Sequence, residues 1–451
     1  MPPGPVIRLR GSGLAAESSG LWHPFLMLLP FDRRALLPLG LLVVACSSSS
    51  TDGGVSAAER KAFSRATNLI PVDVSVGGAS GLGIVDTGNP LVLLDPSTFG
   101  SVAGLPQNGG NVSSISLGSQ TAKNVYVLPT NAGLTSPDPQ LPLSANVGYA
   151  AIGSYVATFN YRDVTFGLGT VAPPPPAGLE PETVLDFAFE GGETLDGVQI
   201  PRSRIVVTVA LEGTDYRMIV DTGASYLTVS GAAFTALTSD GRAQIDGGTA
   251  ETTAGASTSS LARAKSVTVG GVAVDSVVVA YDSSFDTNLG AIGTDAGETI
   301  DGSLGGTYLH DFYVTIDYPA KKLHLARYSN TTFAIDPGHR IGVDLALSGS
   351  SYVVGATSGD AASKGIAIGD TLVSIDGVSL DGLSVSEAAA LLFGSVGSTK
   401  SVKLASKTVA VAVEELLSTT AGATPVGTNF HDGILRRNFA AARASRWHAA
   451  R

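Results

Sequence analysis

Two copies of Asp-Thr-Gly, Asp86-Thr87-Gly88 and Asp221-Thr222-Gly223, hold the residues best suited to chemistry in this chain. Carboxyl groups brought to hydrogen-bonding distance cannot both ionise cheaply. A pair therefore keeps one proton between its members, and one acts as a base toward water while the other acts as an acid. Glycine after Asp-Thr permits a tight turn and brings amide hydrogens near the carboxylate. Thr87 and Thr222 supply hydroxyls that can tie the two turns together and hold the carboxylates in one plane. A single Asp-Thr-Gly would read as an ordinary turn, since aspartate and glycine are common there.

What must position these turns is visible as a repeat. Residues 70–99 superimpose without a gap on residues 205–234 at a constant offset of 135 (221 − 86), and Ile-Val-Asp-Thr-Gly is identical in both. Each copy reads as an alternating strand, a glycine-containing hairpin, a second apolar strand and then the acidic turn. Downstream, the stretch ending at Tyr161 matches the one ending at Tyr318, so that Gly148 corresponds to Gly305. Asp86 to Gly148 spans 62 residues (148 − 86) and Asp221 to Gly305 spans 84 (305 − 221), which places an insertion in the second copy, expected in a loop through Gly247, Gly248 and Gly255. Mobile covers over a cleft are expected near 104–111 and 250–260, where Gly, Ser and Thr abound.

Composition agrees with a β-rich protein of two or three domains: 451 residues, 44% hydrophobic, 15% charged and 55 glycines. A net charge of −11 and the lack of a basic stripe before the C-terminal tail exclude nucleic acid as a partner. The six histidines are scattered and there is one cysteine, so neither a metal site nor a disulfide is expected, and no cofactor is implied. Ser225 and His310 lack an oriented third member, and the glycine pairs lack the lysine and helix of a phosphate loop.

The repeated apolar-apolar-Asp-Thr-Gly with its later apolar-Gly partner resembles the pepsin and retropepsin superfamily of aspartic peptidases over about residues 65–330. Residues 219–225 match that pattern closely, as does Leu304-Gly305 with the stretch from Phe312 to Tyr318. The first copy departs from it: Asn89 and Pro90 follow Gly88, and Asn146 stands where a third apolar residue is usual, as Ser303 does in the second copy. The resemblance implies a mostly β fold, a two-lobed acid-protease-like pair of β-barrels, in which Asp86 and Asp221 hydrolyse peptide bonds and Thr87, Gly88, Thr222 and Gly223 support them. The expected lobes are 65–170 and 184–330, joined by a proline-rich linker at 171–183. The alternative is a non-catalytic peptide- or protein-binding protein that keeps the same fold. A further arrangement would pair second lobes from separate chains.

Residues 338–418 read as a compact β-rich module with one or two helices. It resembles a PDZ domain in Ser358-Gly359-Asp360-Ala361-Ala362, Gly369-Asp370 and Ser374-Ile375-Asp376-Gly377. That resemblance implies binding of peptide C-termini, with Ile341, Gly342 and Val343 as the carboxylate-holding loop. At the other end, an apolar run follows Arg33 and Arg34 and closes on Val43-Val44-Ala45-Cys46, which resembles the lipobox of bacterial lipoproteins. Cys46 is then the lipidation site and Met27 the expected start, so that 1–45 is an over-extended N-terminus plus signal peptide and 46–64 a tether. The chain is expected in the bacterial cell envelope, facing the periplasm or exterior, held to a membrane by its lipid alone, with polypeptides as substrates. Residues 419–451 read as a disordered basic tail.

Overall fold

The computed structural model describes residues 55–420, apart from gaps within 103–140, 196–201, 253–254, 288–298 and 330–334, together with Arg436 and Arg437. The signal peptide, Met27 and Cys46 lie outside the described residues, as does the tail apart from 419–420 and Arg436–Arg437, whose backbone pairs in parallel with Glu251 and Thr252. The last part of the expected tether is helical. Ala57–Thr67 opens on a capping box between Ser56 and Glu59 and ends at Asn68 in the left-handed conformation.

The first repeat closes into a barrel of six strands in the order Pro71–Val76, Ala79–Val85, Leu143–Val147, Val92–Leu94, Gln120–Pro129 and Gly110–Leu117. Alternating Val72, Val74 and Val76 turn inward onto Ile115, Leu117, Ala122, Val125 and Val127, as a period-two pattern requires. Leu143–Val147 runs parallel to Ala79–Val85 and antiparallel to Val92–Leu94, so the strand entering the acidic turn and the strand leaving it flank one common strand. The second repeat reproduces this. Gly302–Leu304 lies parallel to Thr214–Val220 and antiparallel to Leu227–Val229. The pairing of Pro71 with Ile84 recurs as Val206 with Ile219, each 135 residues later.

The insertion is a strand where a loop was expected. Gln244–Thr252 pairs with the long strand Gly255–Val269, with a bulge between Asp246 and Gly248, and extends the second lobe into a nine-stranded sheet. Region 250–260 thus belongs to a hairpin whose backbone hydrogen bonds are largely made. A separate five-stranded sheet underlies both lobes. Val156–Asn160 from the first repeat pairs with Phe312–Asp317 from the second, and Thr183–Asp186, just past the prolines, adds an edge strand beside Lys322–Arg327.

The C-terminal module has a core of its own, built from Ile341, Val343, Tyr352, Val354, Ile366, Leu372, Ile375, Leu392, Val402, Leu404 and Val411. Its helices are Gly359–Ser363 and Val385–Ala390. Several contacts bind it to the rest, among them a buried cluster of Tyr226, Ile245 and Leu261 with Ala356, Leu416 and Leu417. Ala66 of the N-terminal helix packs on Ala389 and Leu345, and Asp138 of the first lobe accepts the Ser386 amide at 2.9 Å. On the second lobe, the buried Arg263 guanidinium grips Asp336 through both terminal nitrogens (2.6 and 3.0 Å), reaches Glu415 at 3.2 Å and donates to the carbonyls of Leu417 and Ser276. Such a bidentate, multiply bonded cation is expensive to remove because every partner loses its donor at once. Arg263→Met is therefore expected to cost about 3 kcal/mol in urea denaturation; a loss below about 1 kcal/mol would show that the clamp is incidental.

Candidate active site

Val85 and Val220 end strands that stop beside each other, and the Asp-Thr-Gly turns that follow meet back to back. The parallel neighbours fix their starts: the Asp86 amide donates to Val147 O at 2.9 Å and the Asp221 amide to Leu304 O at 3.1 Å. The threonines then cross. Thr87 Oγ1 donates to Val220 O at 2.6 Å and accepts from the Thr222 amide at 3.1 Å. Thr222 Oγ1 donates to Val85 O at 2.8 Å and accepts from the Thr87 amide at 3.2 Å. Each hydroxyl is thereby both donor and acceptor across the seam, and its rotamer has no freedom left.

The same crossing brings the carboxyls together. Gly88 and Gly223 amides donate to Oδ1 of Asp86 and Asp221 within their own turns, at 2.9 and 3.0 Å. A Cβ on Gly223 would fall 2.3 Å from Asp86 Cγ, and one on Gly88 would fall 2.8 Å from Asp221 Cγ. Glycine is required here because each carboxyl lies against the other turn's backbone. Each carboxyl raises the cost of ionising the other across the seam, and both are 0% exposed. Burial, then the charge of Asp221, pushes the Asp86 carboxyl well above its ordinary range, while hydrogen bonds from Asn146 and Gly88 pull it back. Gly148 and Gly305 complete the two-fold pattern; a Cβ there would fall 2.1 Å from Asn89 O and 2.0 Å from Tyr226 O.

Tyr161 and Tyr318, equivalent residues of the two repeats, are both buried in the shared core. Burial raises the Tyr161 hydroxyl, with contributions from Tyr328 and Asp221; burial also raises that of Tyr318, with contributions from Tyr149 and Asp86. Both stay neutral.

Each of the six turn residues named from sequence sits at this seam, within one chain. Ile341, Gly342 and Val343 lie in the C-terminal module. There Ile341 and Val343 are wholly buried, with amides donating to Leu392 O and Ile341 O, and Gly342 O accepts from Ser358. Ser225 and His310 form no nucleophile pair. Asn68 separates them, donating to Ser225 O and meeting His310 Nδ1 at 2.9 Å.

Two residues went unassigned in the sequence. Arg204, buried at the head of its strand, donates to Gly88 O at 2.9 Å and to Gly191 O at 2.5 Å, pinning the first turn from the second lobe. Its signal was a cation opening an otherwise apolar strand. Asn146 donates to Asp86 Oδ2 at 2.8 Å. Its signal was the departure from an apolar residue in Leu143–Val147.

Residues 207–308 match the family model described as aspartyl protease; the match includes Asp221 and stops short of Asp86. Among solved structures, an aspartic proteinase from Irpex lacteus is 17% identical, with a TM-score of 0.37, over 60% of this chain and 96% of that one. A retropepsin-like aspartic protease from Rickettsia conorii is 15% identical, with a TM-score of 0.20, over 32% and 99%. A photosystem II D1 C-terminal processing protease is 24% identical, with a TM-score of 0.17, over 18% of this chain, which spans 24% of that protease. No curated protein matches.

Two outcomes follow from the geometry. Thr87→Val leaves Val220 O and the Thr222 amide without partners inside the seam and should cost about 2–4 kcal/mol by denaturant titration, whereas Thr87→Ser should stay within about 1 kcal/mol; equal losses would contradict the crossed hydrogen bonds. The pair that contains the raised Asp86 carboxyl keeps one proton in the folded state at pH values where unfolded aspartates, at about 3.9, have lost theirs. Its contribution to stability is therefore present at low pH and lost as pH rises through the folded value. Asp86→Asn should then stabilise the protein at pH 7 relative to pH 3.5, and thermal melts showing the opposite pH trend would exclude a raised carboxyl.

Proposed function

We propose that the chain is an aspartic endopeptidase whose Asp86 and Asp221 share one proton and activate a water molecule against a peptide carbonyl. The crossed Thr87–Thr222 hydrogen bonds, which hold both carboxyls in one buried seam, carry this reading. A carboxylate member takes a proton from water as the water oxygen attacks the carbonyl carbon, and the protonated member gives its proton to the carbonyl oxygen. The resulting diol collapses when the first member passes its new proton to the amide nitrogen and the second recovers one from a hydroxyl. The C–N bond breaks and the pair regains its single proton. Both carboxyls are fully buried, so a peptide reaches them only when neighbouring segments part.

The reading extends to the rest of the chain. The C-terminal module takes peptide C-termini and presents substrate to the cleft, and Cys46 carries the lipid that holds the protein in a bacterial envelope. The family match over 207–308 and the pairing of the two acidic turns support the peptidase. The module's resemblance and the lipobox-like stretch support the other two roles.

The test is cleavage of a denatured protein by the purified chain beginning at Cys46. Asp86→Asn and Asp221→Asn should each lower kcat by more than about 10³-fold with the fold intact by circular dichroism. Cleavage that persists in either variant would exclude a single-chain pair.

A further inference from the structure

The two halves of the seam are near copies, but Asp86 has a hydrogen-bond supply that its repeat partner's sequence does not provide. The Leu91 amide donates to Asn89 Oδ1 at 3.0 Å, Asn89 Nδ2 donates to Asn146 Oδ1 at 2.8 Å, and Asn146 Nδ2 donates to Asp86 Oδ2 at 2.8 Å. Asn89 and Asn146 are 0% and 1% exposed, so this is a buried relay with no competing solvent. Its direction is fixed. A backbone N–H can only donate, so Asn89 must turn its carbonyl to Leu91 and its amide to Asn146, which in turn must aim its amide at Asp86. At the corresponding places the second repeat has Ala224 and Ser303, neither of which can form such a chain of two amides.

We propose that Asn146, oriented by Asn89, is a positioning residue that keeps Oδ2 of Asp86 an acceptor and biases the shared proton toward Asp221, making Asp86 the base toward water. The proposal rests on the peptidase reading for its consequence in catalysis but not for its effect on ionisation. Both Asp86 oxygens accept an N–H, Oδ1 from Gly88 and Oδ2 from Asn146, and donors to a carboxyl favour its charged form. The relay works against the burial that pushes the same group up. It also limits rotation of the carboxyl, because its two oxygens are held by different donors. Two of the departures from the usual pattern in the first repeat, Asn89 and Asn146, are thus one device.

The test separates ionisation from turnover. Carboxyl ¹³C NMR of the aspartate-labelled chain beginning at Cys46, assigned with Asp86→Asn and Asp221→Asn, reads the Asp86 titration directly. Asn146→Val should move that titration up by about one pH unit, and Asn89→Ala, which frees Asn146 to rotate, should move it the same way by less. In cleavage assays the acid limb should rise with it, kcat should fall roughly tenfold, and KM should stay within about twofold. If Asn146→Val does not fold, Asn89→Ala reads the same relay. An Asp86 titration unmoved in the foldable variants would overturn the proposal, including where stability alone had dropped. A wild-type chain that cleaves nothing while Asn146→Val still shifts the titration would instead count against the peptidase reading.

Discussion

Everything at the seam depends on two threonine hydroxyls that are completed only by each other's turn. Val220 O and the Thr222 amide are satisfied by Thr87, and Val85 O and the Thr87 amide by Thr222. These groups are buried, so leaving them unmade would incur the full cost of stripping polar atoms of water. Neither lobe can therefore finish its own acidic turn. That interdependence positions Asp86 and Asp221 far more tightly than two separately folded lobes in contact would, and the shared sheet from Val156–Asn160 to Phe312–Asp317 holds the lobes in the register the seam needs.

Once each carboxyl lies against the other turn in a buried place, their chemistry follows from electrostatics. Two charges there are more costly than one, so a proton is retained. Tyr161 and Tyr318 stay neutral and add no charge, and Arg204 is engaged with the carbonyls of Gly88 and Gly191. What distinguishes the two acids is local. Duplication produces near-equivalent turns, and substitutions in the strand behind one of them, Asn146 above all, make the two sites inequivalent.

Much of this was legible in the residues because duplication leaves a periodic trace. The constant offset of 135 located both acidic turns, the strands entering them and the glycines behind them, and it reappears in the strand registers. The crossing of Thr87 and Thr222 could be anticipated because a hydroxyl next to a buried acid needs a partner. Side-chain contacts between elements distant in sequence were not legible. Arg263 reaches residues 336, 415 and 417, and nothing local marks it as a clamp. Asn89 and Asn146 were visible as departures, but a relay needs the strand Leu143–Val147 to lie beside the turn, which only the fold establishes. The strand Gln244–Thr252 was read as a loop because Gly247 and Gly248 suggest one. Its pairing with Gly255–Val269 supplies the hydrogen bonds that the local propensity does not favour.

The C-terminal module is tied to both lobes and to the N-terminal helix. The most direct measurement for the central idea is the pH dependence of kcat/KM on a denatured protein substrate. A pair sharing one proton predicts a bell with two separated limbs, since both the fully protonated and fully ionised pairs are inactive. A profile with a single limb, or a bell that survives unchanged in Asp86→Asn, would contradict it.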